Sequence, residues 1–143
     1  MIAVLVAAAA LAGQSAPSES GWTWTLYADA APVVLAHEVP DSPNLRATFE
    51  CERGSNVARL TLYGGAALAG MARISAGQAS AVGEAEAARG GGLKVALRTD
   101  HPVFAAFALD GRLAIVVGDQ RRPLEVTSEH LAKLRRFAEL CAG

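Results

Sequence analysis

The sequence predicts a mainly β (α+β) domain: an antiparallel β-sandwich or partly open barrel of about eight strands, with one C-terminal α-helix packed on it. Three observations carry this. Apolar and polar residues alternate with period 2 in one short run after another, and turn-forming Gly, Pro, Asn and Asp separate the runs at close spacing. Only the last run, "TSEHLAKLRRFAELC", changes to the helical period.

The first strand lies in "GWTWTLYA", where Trp22, Trp24 and Leu26 share one face and Thr23, Thr25 and Tyr27 the other. "APVVLAHEV" follows and is broken by "PDSPN", whose prolines cannot donate to a ladder. "LRATFECE" alternates most cleanly: Leu45, Ala47, Phe49 and Cys51 face inward, Arg46, Thr48, Glu50 and Glu52 outward. The turn "RGSN" joins it to "VARLTLY" as an antiparallel hairpin. "GGAALAG" loops out. "MARISA" and "SAVGEAEA" are weaker strands, the second ambiguous with a short helix because of its alanines. After "RGGG" come "LKVALR", "PVFAAFAL" and "RLAIVV", with Asp110-Gly111 as the two-residue turn of a hairpin between the last two. The final helix has Thr127 or Ser128 as N-cap and Glu129 in its first turn. Leu131, Leu134, Ala138 and Cys141 form its apolar stripe, flanked by Phe137 and Leu140.

The chain begins "MIAVLVAAAALA", apolar and uncharged, and then turns small and polar in "GQSAPSES". That is the outline of a secretory signal over residues 1–12, with Ala10 and Ala12 at the small-residue positions before a cleavage site at Gly13, although its n-region carries no Lys or Arg. Residues 13–20 then form a flexible mature N-terminus and residues 21–143 a single domain. The apolar stretch is too short to span a bilayer, which takes ~20 residues, so no integral membrane segment is expected after cleavage. Export to a periplasmic or extracellular compartment would oxidise the two cysteines, and Cys51 with Cys141 is the one possible pair. Both lie on inward-facing periodicities. The bridge would close a loop of about 90 residues and tie down the terminal helix, which is the element most prone to fray.

Composition narrows the function. Thirteen Lys and Arg stand against fourteen Asp and Glu, so no overall field draws in nucleic acid or anionic lipid. The chain is 52% hydrophobic but only 6% aromatic, and alanine supplies much of the core. Each histidine has an acidic neighbour in sequence. His37 and Glu38 point to opposite faces of a strand and cannot act together. Asp100 and His101, in the loop "RTDHPVF", are the candidate general base or ligand. No G-x-S-x-G, H-E-x-x-H or P-loop pattern occurs. The glycines of "RGGGL" read as a turn, and the cysteines are better used in a disulfide than on zinc. We expect no cofactor and no metal. Trp22 and Trp24 are candidates for the core or for an aromatic platform; sharing a face with Leu26 favours the core.

The early Trp strand, the "FEC" strand and a last helix ending in "FAELC" together resemble small exported proteins of alanine-rich bacterial proteomes. The C-terminal helix ending in Cys141 is similar to that of periplasmic accessory proteins of type VI secretion. "FEC" followed by a turn and strand resembles the periplasmic lysozyme inhibitors, whose serine-glycine-tyrosine loop has no counterpart here. Together these features imply an exported cell-envelope protein that binds a protein or a cell-wall component through a strand edge or loop surface. The alternatives are a small periplasmic hydrolase using Asp100 and His101, and an inhibitor of an envelope-directed enzyme.

Overall fold

The structure, a computed structural model, describes residues 21–143. The expected signal segment 1–12 and mature N-terminus 13–20 lie outside the described residues.

Among the described residues nine strands form one antiparallel sheet curled into a half-barrel. In chain order they are β1 (Thr23–Tyr27), β2 (Val33–Glu38), β3 (Leu45–Cys51), β4 (Val57–Tyr63), β5 (Gly70–Ala76), β6 (Ala79–Ala87), β7 (Gly92–Arg98), β8 (Arg112–Val117) and β9 (Gln120–Glu125). Their order across the sheet is β1-β2-β3-β4-β7-β6-β5-β8-β9, so β1 and β9 are the edges. Of the two architectures expected, the partly open barrel is the one adopted.

Period-2 alternation sets the two faces. Trp24, His37, Ala47 and Leu62 are successive cross-strand partners, as are Leu26, Leu35, Phe49 and Leu60. Partners directly opposite point to the same face, so these rows line the concave side. On the convex side Glu50 lies opposite Arg59 and Glu86 opposite Lys94, charge pairings suited to solvent.

Among the described residues two α-helices fill the trough, where the sequence predicts one. The segment expected to be a strand, "PVFAAFAL", is instead α1 (Pro102–Asp110), and the reasons are local. Pro102 sits in the first turn, where its missing N–H costs nothing. His101 caps the helix, its Nδ1 accepting from the Val103 N–H at 3.0 Å. Gly111 is not the second residue of a hairpin turn: it ends the helix in the left-handed conformation, φ 80°, and its N–H donates to the Phe107 carbonyl at 2.7 Å. The apolar run hides its period because Val103, Phe104 and Phe107 are buried together on a mostly apolar helix.

The terminal helix α2 (Leu131–Cys141) forms as expected, but Thr127 is not its cap. Thr127 leads instead into a single 3₁₀ turn, Ser128–His130, and makes no side-chain capping bond. Leu134, Phe137 and Cys141 are buried, with Leu131, Ala138 and Leu140 packed at the margin. Phe49 is the hub where strand and helices meet, its ring centroid 6.4, 5.5 and 6.0 Å from those of Phe104, Phe107 and Phe137.

Cys51 and Cys141 are disulfide-bonded across 90 residues of sequence, with Cα atoms 5.9 Å apart. Backbone bonds reinforce the same junction. The turn after β3 donates from Gly54 to the Leu140 carbonyl and from Asn56 to the Cys141 carbonyl (3.4 and 2.8 Å), and Asn56 Oδ1 accepts from the Gly143 N–H at 2.9 Å.

The sequence pattern predicts no strand over "QRRPLE", which forms β9. Gly118 and Asp119 are the turn into it, with Gly118 at φ 59°, a two-residue hairpin signal obscured by Pro123 further on. That proline is tolerated because β9 is an edge strand.

Candidate functional site

The structure separates the two residues first in line for chemistry. Asp100 bonds Arg98, Oδ1 to Nε and Oδ2 to a terminal guanidinium nitrogen, both at 2.8 Å. That hydrogen bond and the nearby positive charge hold its carboxyl below the usual Asp range. His101 turns its Nδ1 to the start of α1. The shallow depression that His101 lines is otherwise formed by Arg98 and apolar side chains such as Ile74, Val82 and Leu97. No serine or second carboxylate joins His101 there among the described residues. The two side chains therefore serve a turn and a helix cap, an arrangement that lends hydrolysis no support.

A more developed site lies at the mouth of the trough. There β1 and β3 begin and β2 and β4 end, and the 3₁₀ turn before α2 closes the opposite side. The cleft has a volume of about 590 Å³, within the range typical of small-molecule sites. One wall carries Trp22, Trp24, His37 and Arg46; the other carries Arg122, Glu125, Glu129 and His130; Leu62 and Tyr63 lie between them.

Local structure places each group. Trp24 is on the concave row of β1 and is buried, while Trp22, just before the strand, is only half-buried. Of the two readings open for the tryptophans, Trp24 is core and Trp22 is rim. His37 stacks on Trp24, centroids 4.7 Å apart and planes within 7°, and meets Trp22 at a tilt at 5.4 Å. As the sequence predicts, Glu38 points the other way, where it accepts a hydrogen bond from the Tyr27 hydroxyl.

Arg46 departs from its expected outward direction. Ala47 pairs with His37 but Leu45 with Glu38, so the register slips by one residue at Arg46. A bulge re-aims the side chain it carries, and the Arg46 guanidinium lies 4.0 Å from the centre of the Trp22 ring, a cation–π contact. Across the cleft Arg122 reaches from β9 to the Gly64 carbonyl at 2.9 Å and the Tyr63 carbonyl at 3.3 Å. It thereby ties one edge strand to the end of β4 and fixes the width of the mouth. Glu129 Oε1 accepts from Thr127 Oγ1 at 3.4 Å and lies 3.6 Å from His130 Nε2.

The free edges beside the cleft are guarded. Lys133 of α2 donates from Nζ to the Trp24 carbonyl at 2.5 Å, and β9 carries Pro123 with Arg121 and Arg122. Charge, proline and helix cover are the usual means of stopping a sheet edge from pairing with another strand. A second depression of about 440 Å³ on β5, β8 and β9 is more open and has no aromatic lining.

Sequence reasoning singled out the tryptophans but did not foresee their meeting with Arg46, Arg122 and the Glu129-His130 pair. Among the described residues no group of three or more His, Cys, Asp or Glu gathers as a metal site, and no helix is long and apolar enough to cross a membrane. No protein-family model, curated protein or solved structure matches the chain.

Proposed function

We propose that the chain is an exported cell-envelope protein that works by binding rather than catalysis, and that the cleft between β1 and β9 is its binding surface. The observation that carries this reading is the cleft itself: a concavity of about 590 Å³ with a half-buried tryptophan at its rim and charged groups of both signs on its walls. Export is supported by the apolar run at residues 1–12 and by the Cys51–Cys141 disulfide, a bond that persists in oxidising compartments and is rare where thiols are kept reduced. Of the two surfaces the sequence suggests, a strand edge or a loop surface, the guarded edges weigh against the first and support the cleft.

The test has two parts. Cell fractionation with N-terminal sequencing should find the chain outside the cytoplasm, beginning at or near Gly13; a full-length cytoplasmic product would remove the export half. Capture from periplasmic extract and cell-wall digest should retain a component with the native protein and lose it with Trp22→Ala. Retention indifferent to Trp22 would remove the cleft from the proposal. If the retained component is an enzyme whose activity falls on binding, the inhibitor reading replaces the accessory one.

A further inference from the structure

We infer that the ligand of this cleft is a short uncharged saccharide that stacks on Trp22 and hydrogen-bonds to both walls; this rests on the reading of the cleft as the binding surface. The argument starts from how the aromatic residues are divided. All four phenylalanines are buried in the core. Three of the four aromatics that carry a polar atom, both tryptophans and Tyr63, line the cleft; the fourth, Tyr27, is exposed elsewhere and donates to Glu38. An apolar ring body with a polar tip suits a surface that is dry on one side and wet on the other.

The charged lining then selects among ligand classes. Arg46 and Arg122 supply donors, while Glu125 and Glu129 supply acceptors. An anion would meet the two carboxylates, and a cation the two guanidinium groups. A wholly apolar ligand would strip water from all four without replacing their hydrogen bonds, which is costly. A peptide added as an extra strand is opposed by Lys133 on the Trp24 carbonyl and by Pro123 in β9. A sugar ring fits what remains. Its C–H face packs on an indole, and its hydroxyl edge donates to carboxylates and accepts from guanidinium groups. The mouth braced by Arg122 on the Gly64 and Tyr63 carbonyls holds these groups in place before binding, which lowers the ordering cost.

The experiment titrates the intact protein with N,N′-diacetylchitobiose and, separately, cellobiose, following tryptophan emission and the two indole N–H resonances by NMR. A saturable shift of the Trp22 signal with a Kd of about 1 mM or tighter is expected for at least one of them. Trp22→Ala and Glu129→Gln should each weaken it about tenfold or more, whereas Met71→Ala, on the convex face, should not. Trp22 precedes β1 and is half-exposed, so its variant should keep the native melting temperature; Glu125→Gln is a second probe of the same wall. No saturable shift with either sugar, or binding that survives both Trp22→Ala and Glu129→Gln, would overturn the inference. If a protein is captured in a Trp22-dependent manner while neither sugar binds, the saccharide falls and the binding-surface reading stands.

Discussion

At the scale of single residues, two neighbours that look like a catalytic pair are each explained by local bonding. His101 acts as an N-cap through Nδ1, and losing a side-chain cap typically costs about 1 kcal/mol. His101→Ala should therefore lower the thermal midpoint, and His101→Asn, which can also accept from the Val103 N–H, should recover much of the loss. A catalytic histidine would not be rescued in this way. Asp100 has its carboxyl pKa lowered by the Arg98 hydrogen bond. A group whose folded pKa lies below its unfolded one contributes stability above the unfolded value, about 3.9 for Asp, and loses it as the pH falls through the lower folded value. The pair is solvent-exposed, so the effect on stability is small. The direct readout is an NMR titration: the Asp100 carboxyl should titrate below the ordinary Asp range, and Arg98→Ala should return it there.

At the scale of elements, the joint between α1 and β8 shows why the segment after His101 cannot be a strand. Gly111 combines positive φ with close packing: a Cβ there would stand 2.0 Å from the Val126 carbonyl oxygen and 2.9 Å from Leu131 Cδ2. The Val126 N–H donates to the Gly111 carbonyl at 2.7 Å, so this glycine also anchors the segment between β9 and α2. Gly111→Ala should destabilise by more than the ~1–2 kcal/mol of left-handed backbone alone, because the overlap must also be relieved by moving backbone. Chemical denaturation measures this directly; a change under about 0.5 kcal/mol, the range of an ordinary surface substitution, would mean that the joint is loose. Gly118 opens the neighbouring hairpin and would meet nothing within 4 Å, so Gly118→Ala separates the backbone cost from the steric one.

At the scale of the whole molecule, α2 runs along the trough from the cleft, where Lys133 holds the Trp24 carbonyl, to the far end, where Cys141 is bonded to Cys51. One helix therefore links the candidate binding surface to the disulfide. For a closed loop of about 90 residues the chain-entropy argument gives some 4 to 5 kcal/mol of stabilisation. Reduction, or Cys51→Ser, should lower unfolding free energy by a few kcal/mol on that scale, and intact mass before and after reduction should differ by two hydrogens, with no thiol titratable in the native protein. An unchanged denaturation midpoint after verified reduction would show that packing of Leu134 and Phe137 against Phe49 holds the helix unaided.

Alternation by itself determined most of the strands. Ala47, Phe49 and Cys51 of β3 and the inward residues of "VARLTLY" follow plain period 2, and the same parity put Cys51 inward on its strand as the helical stripe put Cys141 inward on α2; Leu45, expected inward, is instead exposed because it lies beyond the register slip. What escaped it was decided by contacts far apart in sequence or by competing local signals. "PVFAAFAL" is apolar on nearly every side, so its period could not be read, and a proline and a glycine that also suit a hairpin instead start and stop a helix. The direction of Arg46 depends on one slipped residue between β2 and β3, which no pattern within β3 records. The cleft required curvature: Trp22 and Glu129 lie more than a hundred residues apart and line opposite walls of one cleft only because the sheet curls until its two edge strands approach each other. Side-chain parity is a property of neighbouring residues and is written in the sequence; the meeting of two sheet edges is a property of the closed shape, and only the folded chain decides it.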